Sequence, residues 1–242
     1  MRSMTLLFLA LSLLPLFSQA KSAREDSIEH YQLRYGLRNV FDKRVDNYGN
    51  GFEGLYGVRN FRVVLNGAVY RGGANNACNR NGKRHNSNPL PNEGLKNLCE
   101  EGFDRAIYLY PTRFRNSPKA VSCQSSYAGS NTLKYDQKSV LGESTAAKEI
   151  LELVYARLTN PGHNSPVYLH CWNGWHASGY ISALILRQFC DYSGEQAVSY
   201  WDRNTDGMNR ERAYEKIRAK LRAFKPLPEL RISRELKDQV CL

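Results

Sequence analysis

Several features are scarce in this 242-residue sequence. After residue 17 no apolar run approaches the roughly 20 residues needed to cross a bilayer. The chain has no internal repeat and no cysteine pair with the Cys-x-x-Cys spacing of structural metal sites. Its basic charge is not accompanied by a recognised nucleic-acid-binding motif. These absences argue against the repeat and nucleic-acid-binding classes and against a membrane span beyond the N-terminus.

The chain begins with a targeting segment. Arg2 precedes a twelve-residue apolar run from Leu6 to Phe17, and small residues end at Ala20. A charged start, a short apolar stretch and a small-residue end are typical of a cleaved signal peptide. A membrane anchor is the alternative, but the run is short for one. We therefore expect residues 1–20 to be removed, leaving a secreted or periplasmic protein with no transmembrane anchor.

The remaining chain is basic and rich in cysteine. It carries 33 Lys and Arg (34 less Arg2) against 23 Asp and Glu, a net charge of +10 that suits anionic partners. All six cysteines follow the signal segment, so disulfides can form in an oxidising compartment. The sequence does not fix their pairing. We expect Cys78 to pair with Cys99 or Cys123.

The most informative stretch runs from Pro166 to Gly179. An apolar run ends at Cys171, a loop with one glycine follows, and Ser178 opens a segment with helical spacing. A helix start leaves several backbone N–H groups unpaired and carries about half a positive charge, so a loop wrapped over it can bind phosphate or sulfate. Cys171 would lie at the bottom of this loop, where the same field favours the nucleophilic thiolate.

This stretch resembles the phosphate loop of the cysteine-based phosphatases, which include protein-tyrosine, dual-specificity and phytase-like enzymes. Their motif is His-Cys, five residues, Arg, then Ser or Thr and often Gly. Here the matching positions are His170, Cys171, Gly174, Ser178 and Gly179. The resemblance implies that Cys171 is the nucleophile and that the loop around it comprises His170, Trp172, Asn173, Gly174, Trp175, His176, Ala177 and Ser178.

Ala177 departs from the family because it stands at the position of the arginine. A charge-assisted hydrogen bond contributes roughly 1.5–3 kcal/mol, and an arginine on a transferring phosphoryl group is worth about 10³–10⁵ in rate. Without it we expect ligand binding to survive and phosphate monoester hydrolysis to be weak or absent.

The resemblance extends over residues 60–206 and brings further candidate residues. Asn66-Gly67 signals a hairpin. Arg71 on its second strand is a candidate ligand contact, and the alternative is a surface arginine at a strand end. Arg113 and Arg115 follow a buried strand that starts at Arg105, and ligands bind at the carboxyl ends of strands in open α/β sheets. Asp136 lies 35 residues before Cys171, within the range at which the family places its general acid; the alternative is a strand-end aspartate that caps a turn.

Together these features predict a three-layer α/β fold with a mostly parallel central sheet flanked by helices, similar to a dual-specificity phosphatase. We expect an N-terminal arm over residues 21–57, the phosphatase-like domain over 58–225 and an extended C-terminal tail over 226–242. Within the domain, residues 117–131 are expected to form a polar loop and Ser193 to Gln196 a capping box that starts a helix.

Three functions remain open from the sequence. The first is an exported phosphatase-like protein that binds a phosphorylated small molecule or phosphoprotein through Cys171, without nucleic acid, cofactor or metal. The second is an active phosphatase in which His176 or another basic residue replaces the arginine. The third is an interaction scaffold or a metal-binding protein, with His170, Cys171 and His176 as ligands.

Overall fold

The computed structural model describes residues 22–75, 89–143 and 145–242. The predicted signal segment and Cys78 lie outside these ranges. Within them, no helix combines the length and the apolar character needed to cross a membrane.

The centre of the molecule is a six-stranded sheet in the order β1-β2-β6-β3-β5-β4. The strands are β1 (Val58–Leu65), β2 (Val69–Ala74), β3 (Arg105–Tyr108), β4 (Ala120–Ser125), β5 (Gly129–Gln137) and β6 (Val167–Cys171). The four inner strands are parallel, whereas β1 and β4 pair antiparallel at the two edges. The prediction of a mostly parallel sheet is therefore corrected: the sheet is mixed, because each edge strand belongs to a hairpin.

One of these hairpins was predicted and the other was not. Gly67 has φ 64°, which suits glycine, and it turns β1 into β2 as the Asn-Gly signal predicts. Residues 117–131, predicted as a loop, contain β4 and the start of β5. Burial alternates along β4, but only Val121 and Cys123 bring apolar side chains to its inner face, so its apolar pattern is weak.

Seven α-helices are described on the two sides of this sheet. They are α1 (Ala23–Tyr35), α2 (Asn92–Glu100), α3 (Ala146–Thr159), α4 (His176–Phe189), α5 (Gly194–Arg203), α6 (Glu215–Ala223) and α7 (Arg234–Val240). Successive residues of a strand point to opposite faces, and β6 divides its residues accordingly. Leu169 and Cys171 join an apolar cluster with α3 to α7, whereas Tyr168 joins an aromatic cluster with α1 and α2. The fold is thus α/β with helices flanking both faces.

Both ends of the described chain pack against this domain. Ser22 and Glu25 form a capping box at the start of α1, and Tyr31 is buried against the aromatic cluster. The prediction of an extended C-terminal tail is wrong, because α7 forms there and the Val240 carbonyl accepts a hydrogen bond from Asn66 N at 2.7 Å. A helix of seven residues is too short to give a recognisable periodic pattern.

Two disulfides are present among the described residues. Cys99 on α2 bonds to Cys123 on β4, and Cys190 at the end of α4 bonds to Cys241. The expected pairing of Cys78 with Cys99 or Cys123 is therefore wrong, because those two cysteines pair with each other. Cys171 is a free thiol.

Candidate functional site

Cys171 lies at the carboxyl end of β6, between β2 and β3 in the middle of the sheet. Its side chain is 2% exposed, and its Sγ is 3.4 Å from the hydroxyl of Ser178 in the first turn of α4. The carboxyl ends of parallel strands are the usual position of ligand sites in α/β folds. The nucleophile predicted from the sequence is thus a buried free thiol beside a helix start.

The loop after Cys171 is held from the side of the β1–β2 hairpin. Three successive carbonyls accept hydrogen bonds from it: Trp172 O from Ala74 N at 3.0 Å, Asn173 O from Asn60 Nδ2 at 2.6 Å, and Gly174 O from the Arg71 guanidinium. The peptide bonds of the described residues are trans, so each carbonyl is opposed by the following N–H. The amides of Asn173 and Trp175 consequently point away from the hairpin.

The close approach of loop and hairpin requires glycine on both sides. A Cβ added to Gly73 on β2 would lie 2.5 Å from Asn173 C and 2.6 Å from Gly174 N. Gly174 has φ 77°, a conformation that L side chains rarely adopt. These two glycines let the backbones of the loop and β2 touch, which fixes the position of the loop relative to Cys171.

The second half of the loop is held by the segment after α5. Trp175 Nε1 donates to Asp206 Oδ2 at 2.9 Å, and His176 Nε2 donates to Met208 O at 2.6 Å. Asp206 also accepts from Lys43 at 2.8 Å. Burial would raise the pKa of Asp206, but the bonds from Lys43 and Trp175 outweigh it and lower that pKa. Asp206 is therefore a fixed carboxylate that holds the loop.

A pocket of about 260 Å³ opens above Cys171. Aromatic rings form most of its walls: Trp172 stacks on Tyr110 at a centroid distance of 4.6 Å, and His176 stacks on Tyr214 at 4.3 Å. The full lining is Tyr110, Cys171, Trp172, Asn173, Trp175, His176, Met208 and Tyr214. No lysine or arginine of the described chain lines it. The pocket has room for a tetrahedral oxyanion with a small attached group.

His170 faces the opposite side of the sheet from the thiol and supports the strand end from below. Its Nε2 contacts the Tyr135 hydroxyl at 2.8 Å, and its Nδ1 donates to the Cys171 carbonyl at 3.1 Å. Complete burial lowers its pKa to about 3, so the ring is neutral at physiological pH. Because both nitrogens are occupied, His170 is not available as a metal ligand. Within the described ranges, no three His, Cys, Asp or Glu side chains form a metal-binding group.

The loop residues from His176 to Ser178 occupy three different environments. His176 is the first residue of α4 and lines the pocket, and burial lowers the pKa of its ring. Ser178 reaches the thiol, as described above. Ala177 is fully buried in the apolar cluster and does not line the pocket. The position that carries arginine in the family is therefore a small apolar contact here.

The structure does not bring Asp136 to Cys171. Asp136 lies on β5, two strands from β6, and its carboxylate pairs with Arg105 at the first residue of β3. That partner lies at the amino end of the strands, opposite to the thiol. Asp136 therefore does not line the pocket, and its role as general acid stays a prediction.

The three candidate arginines do not line the pocket either. Arg113 and Arg115 are exposed on the segment after β3. Arg71 is fully buried under the loop, where it contacts the Gly174 carbonyl and the Tyr200 hydroxyl. Arg71 is thus neither a direct wall of the pocket nor a surface arginine.

Three pocket residues were not anticipated from the sequence. Tyr110 follows β3. The rule that ligands bind at the carboxyl ends of strands, which pointed to Arg113 and Arg115, applies to Tyr110 as well. Met208 and Tyr214 come from the segment between α5 and α6, and only the tertiary fold brings them over α4. Their sequence carries no signal of this contact.

The chain is similar to solved structures at low sequence identity, one of which is described here. The core catalytic domain of the PP-IP phosphatase SIW14 from S. cerevisiae, solved in complex with citrate, is 18% identical, with a TM-score of 0.43 over 68% of this chain and 85% of that one. No family model matches the sequence, and no curated protein does. The chemistry proposed below therefore depends on the geometry around Cys171 and on the loop motif.

Proposed function

We propose that this chain is an exported phosphatase-like protein that binds a phosphorylated ligand, a small molecule or a phosphoprotein, in the pocket above Cys171. The observation that carries the proposal is the free thiol of Cys171 at the floor of a pocket beside the start of α4. Helix starts favour anions through their unpaired N–H groups and their dipole. The hydrogen bonds between the loop carbonyls and the β1–β2 hairpin also support an anion site. They leave the Asn173 and Trp175 amides pointing away from the hairpin.

Hydrolysis of the bound ligand is weak or absent in this proposal. Ala177 replaces the arginine of the family motif, and no guanidinium or ammonium group of the described chain lines the pocket. Loss of such a cation removes about 10³–10⁵ in phosphoryl-transfer rate. The ion pair of Asp136 with Arg105, outside the pocket lining, supports slow turnover, because a proton donor to the leaving oxygen must lie close to it.

Export is part of the proposal. The two disulfides, Cys99–Cys123 and Cys190–Cys241, support it, because such bonds persist mainly in oxidising compartments. The predicted signal segment, residues 1–20, falls outside the described residues.

Substitution at position 177 tests the proposal. Binding of inorganic phosphate is measured by isothermal titration calorimetry, and hydrolysis with p-nitrophenyl phosphate, for the chain from Lys21, for Ala177→Arg and for Ala177→Met. We expect the parent to bind phosphate without measurable turnover. Ala177→Arg should tighten binding by about tenfold or more, in line with a charge-assisted hydrogen bond. Ala177→Met, which adds bulk at the same buried position without charge, should not.

Circular dichroism confirms that each variant is folded. Absence of phosphate binding by the folded parent would contradict an anion site in this loop.

A second candidate function is an active phosphatase that uses His176 as its cation. His176 lines the pocket at the start of α4, which favours it. Burial lowers the pKa of its ring, so the cation forms only below the usual range of histidine near pH 6.5. Activity of this kind should therefore rise in acid and disappear in His176→Gln. A flat absence of turnover from pH 4 to 8 excludes it.

A further inference from the structure

Arg71 is a buried cation directly beneath the Cys171 loop. It is 0% exposed, and its guanidinium donates to the Gly174 carbonyl and, at 3.3 Å, to the Tyr200 hydroxyl. Its NH1 group lies 3.5 Å from the place of a Cβ on Gly179, in the first turn of α4. Its Nε has no hydrogen-bond partner among the described residues. The side chain therefore occupies the space between the loop, β2 and the start of the helix.

The charge of Arg71 lacks a compensating carboxylate. Arg62, its register partner on β1, lies 3.5 Å from Asp206, but no such ion pair joins Arg71 within the described ranges. A buried charge without a partner is costly, and here the neighbouring helix end is itself positive. A phosphate bound at the loop would supply the missing negative charge.

The positive charge of Arg71 acts on groups around the pocket. Burial and then the charge of Arg71 lower the pKa of Arg62 to about 10. The pKa of His176, which lines the pocket, is lowered by burial and also by Arg71. The field of the buried guanidinium thus extends from the hairpin to the wall of the pocket.

We infer that Arg71 is a positioning residue whose buried charge supplies, from β2, the positive field that the family's arginine supplies from position 177. The inference rests on the proposed anion site. Arg71 does not touch the ligand. It holds the Gly174 carbonyl on the hairpin side of the loop and stabilises a bound anion through space. The Arg71 guanidinium favours binding over turnover, because a cation fixed behind the loop cannot move with the phosphoryl oxygens during transfer.

Three variants separate the charge of Arg71 from its hydrogen bonds. Arg71→Gln keeps a donor for Gly174 but removes the charge, and Arg71→Lys keeps the charge but loses the planar fork. Arg62→Gln is the matched control, since Arg62 is equally buried on the paired strand but has Asp206 as its counter-ion. Inorganic phosphate affinity is measured by calorimetry, with folding checked by circular dichroism. Arg71→Met replaces Arg71→Gln if the latter does not fold.

We expect Arg71→Gln to weaken phosphate binding by about tenfold or more, the order produced by one partly screened charge. Arg71→Lys should stay within about threefold of the parent, and so should Arg62→Gln. Equal losses in Arg71→Gln and Arg62→Gln would overturn the inference, and so would a full loss in Arg71→Lys, because hydrogen-bond geometry rather than charge would then be decisive. If the parent itself binds no phosphate, the proposed function fails first, and this inference falls with it.

Discussion

Replacing Gly73 with alanine should displace the Cys171 loop. A Cβ at this position would lie 2.5 Å from Asn173 C, 2.6 Å from Gly174 N and 2.6 Å from Trp172 O. All three atoms belong to the loop backbone, so no side chain can rotate out of the way. An ordinary contact of this kind is about 3.4 Å, which means that β2 and the loop must separate by about 0.9 Å.

The energetic consequence follows from the cost of overpacking. Forcing an extra methyl group into a packed interior costs about 1–3 kcal/mol. For a domain of this size, 1 kcal/mol corresponds to about 2–4 °C in Tm, so Gly73→Ala should lower Tm by about 4–8 °C for a cost of about 2 kcal/mol. Phosphate affinity should fall as well, because the Asn173 and Trp175 amides move together with the loop.

Thermal unfolding and phosphate titration of the same preparation measure both effects. Gly162→Ala is the matched control: Gly162 has no strained φ, and its nearest neighbour would be Asn160 Oδ1 at an ordinary 3.6 Å. Stability and affinity in Gly162→Ala should equal those of the parent. If Gly73→Ala also matched the parent in both, the loop could not be packed on β2 as described here.

Two further predictions concern the stability of the fold. The Cys190–Cys241 bond joins residues 51 positions apart, and the double change Cys190→Ser and Cys241→Ser removes it. We expect this change to lower the free energy of unfolding by about 4 kcal/mol. An unchanged urea midpoint would mean that the disulfide does not hold α7 against α4. His170 has a folded-state pKa of about 3 against about 6.5 in the unfolded chain, so the unfolded state binds the proton more readily between these values. Its contribution to stability is therefore complete above about pH 6.5 and is lost as the pH falls towards 3. His170→Gln should reduce the slope of unfolding free energy between pH 6 and 4 by about 1.4 kcal/mol per pH unit, and equal slopes would contradict the buried neutral ring.

Local chemistry in the sequence predicted several parts of the structure. The Asn66-Gly67 turn, the strand that ends at Cys171 and the capping box of Ser193 and Gln196 are all present. Each depends on residues within a few positions of one another, through turn dihedrals, helix caps or the alternation of a buried strand. Such features can be predicted without knowledge of the tertiary fold.

The features that the sequence did not reveal depend on contacts between distant parts of the chain. Asp136 has a suitable spacing from Cys171 along the sequence, but spacing does not reveal that β3 lies between their strands. Similarly, a polar edge strand such as β4 gains its partner from the hairpin with β5 and not from an apolar pattern. Strand order is decided by the packing of the whole sheet.

Arg71 illustrates the same limit at the site. As an arginine on a strand, it suggested either a ligand contact or an exposed residue. Instead the β1–β2 hairpin carries it beneath the loop, where Gly174 and Tyr200 enclose it. The walls contributed by Met208 and Tyr214 likewise depend on how the segment after α5 folds back over α4.

A crystal of the protein soaked in sodium tungstate tests the central claim most directly, because tungstate is a tetrahedral oxyanion that is easily located in electron density. The account predicts one tungstate at the floor of the pocket, in contact with Cys171 Sγ and hydrogen-bonded to the amides of Asn173 and Trp175. An empty pocket, with tungstate bound only to surface lysines and arginines, would contradict it.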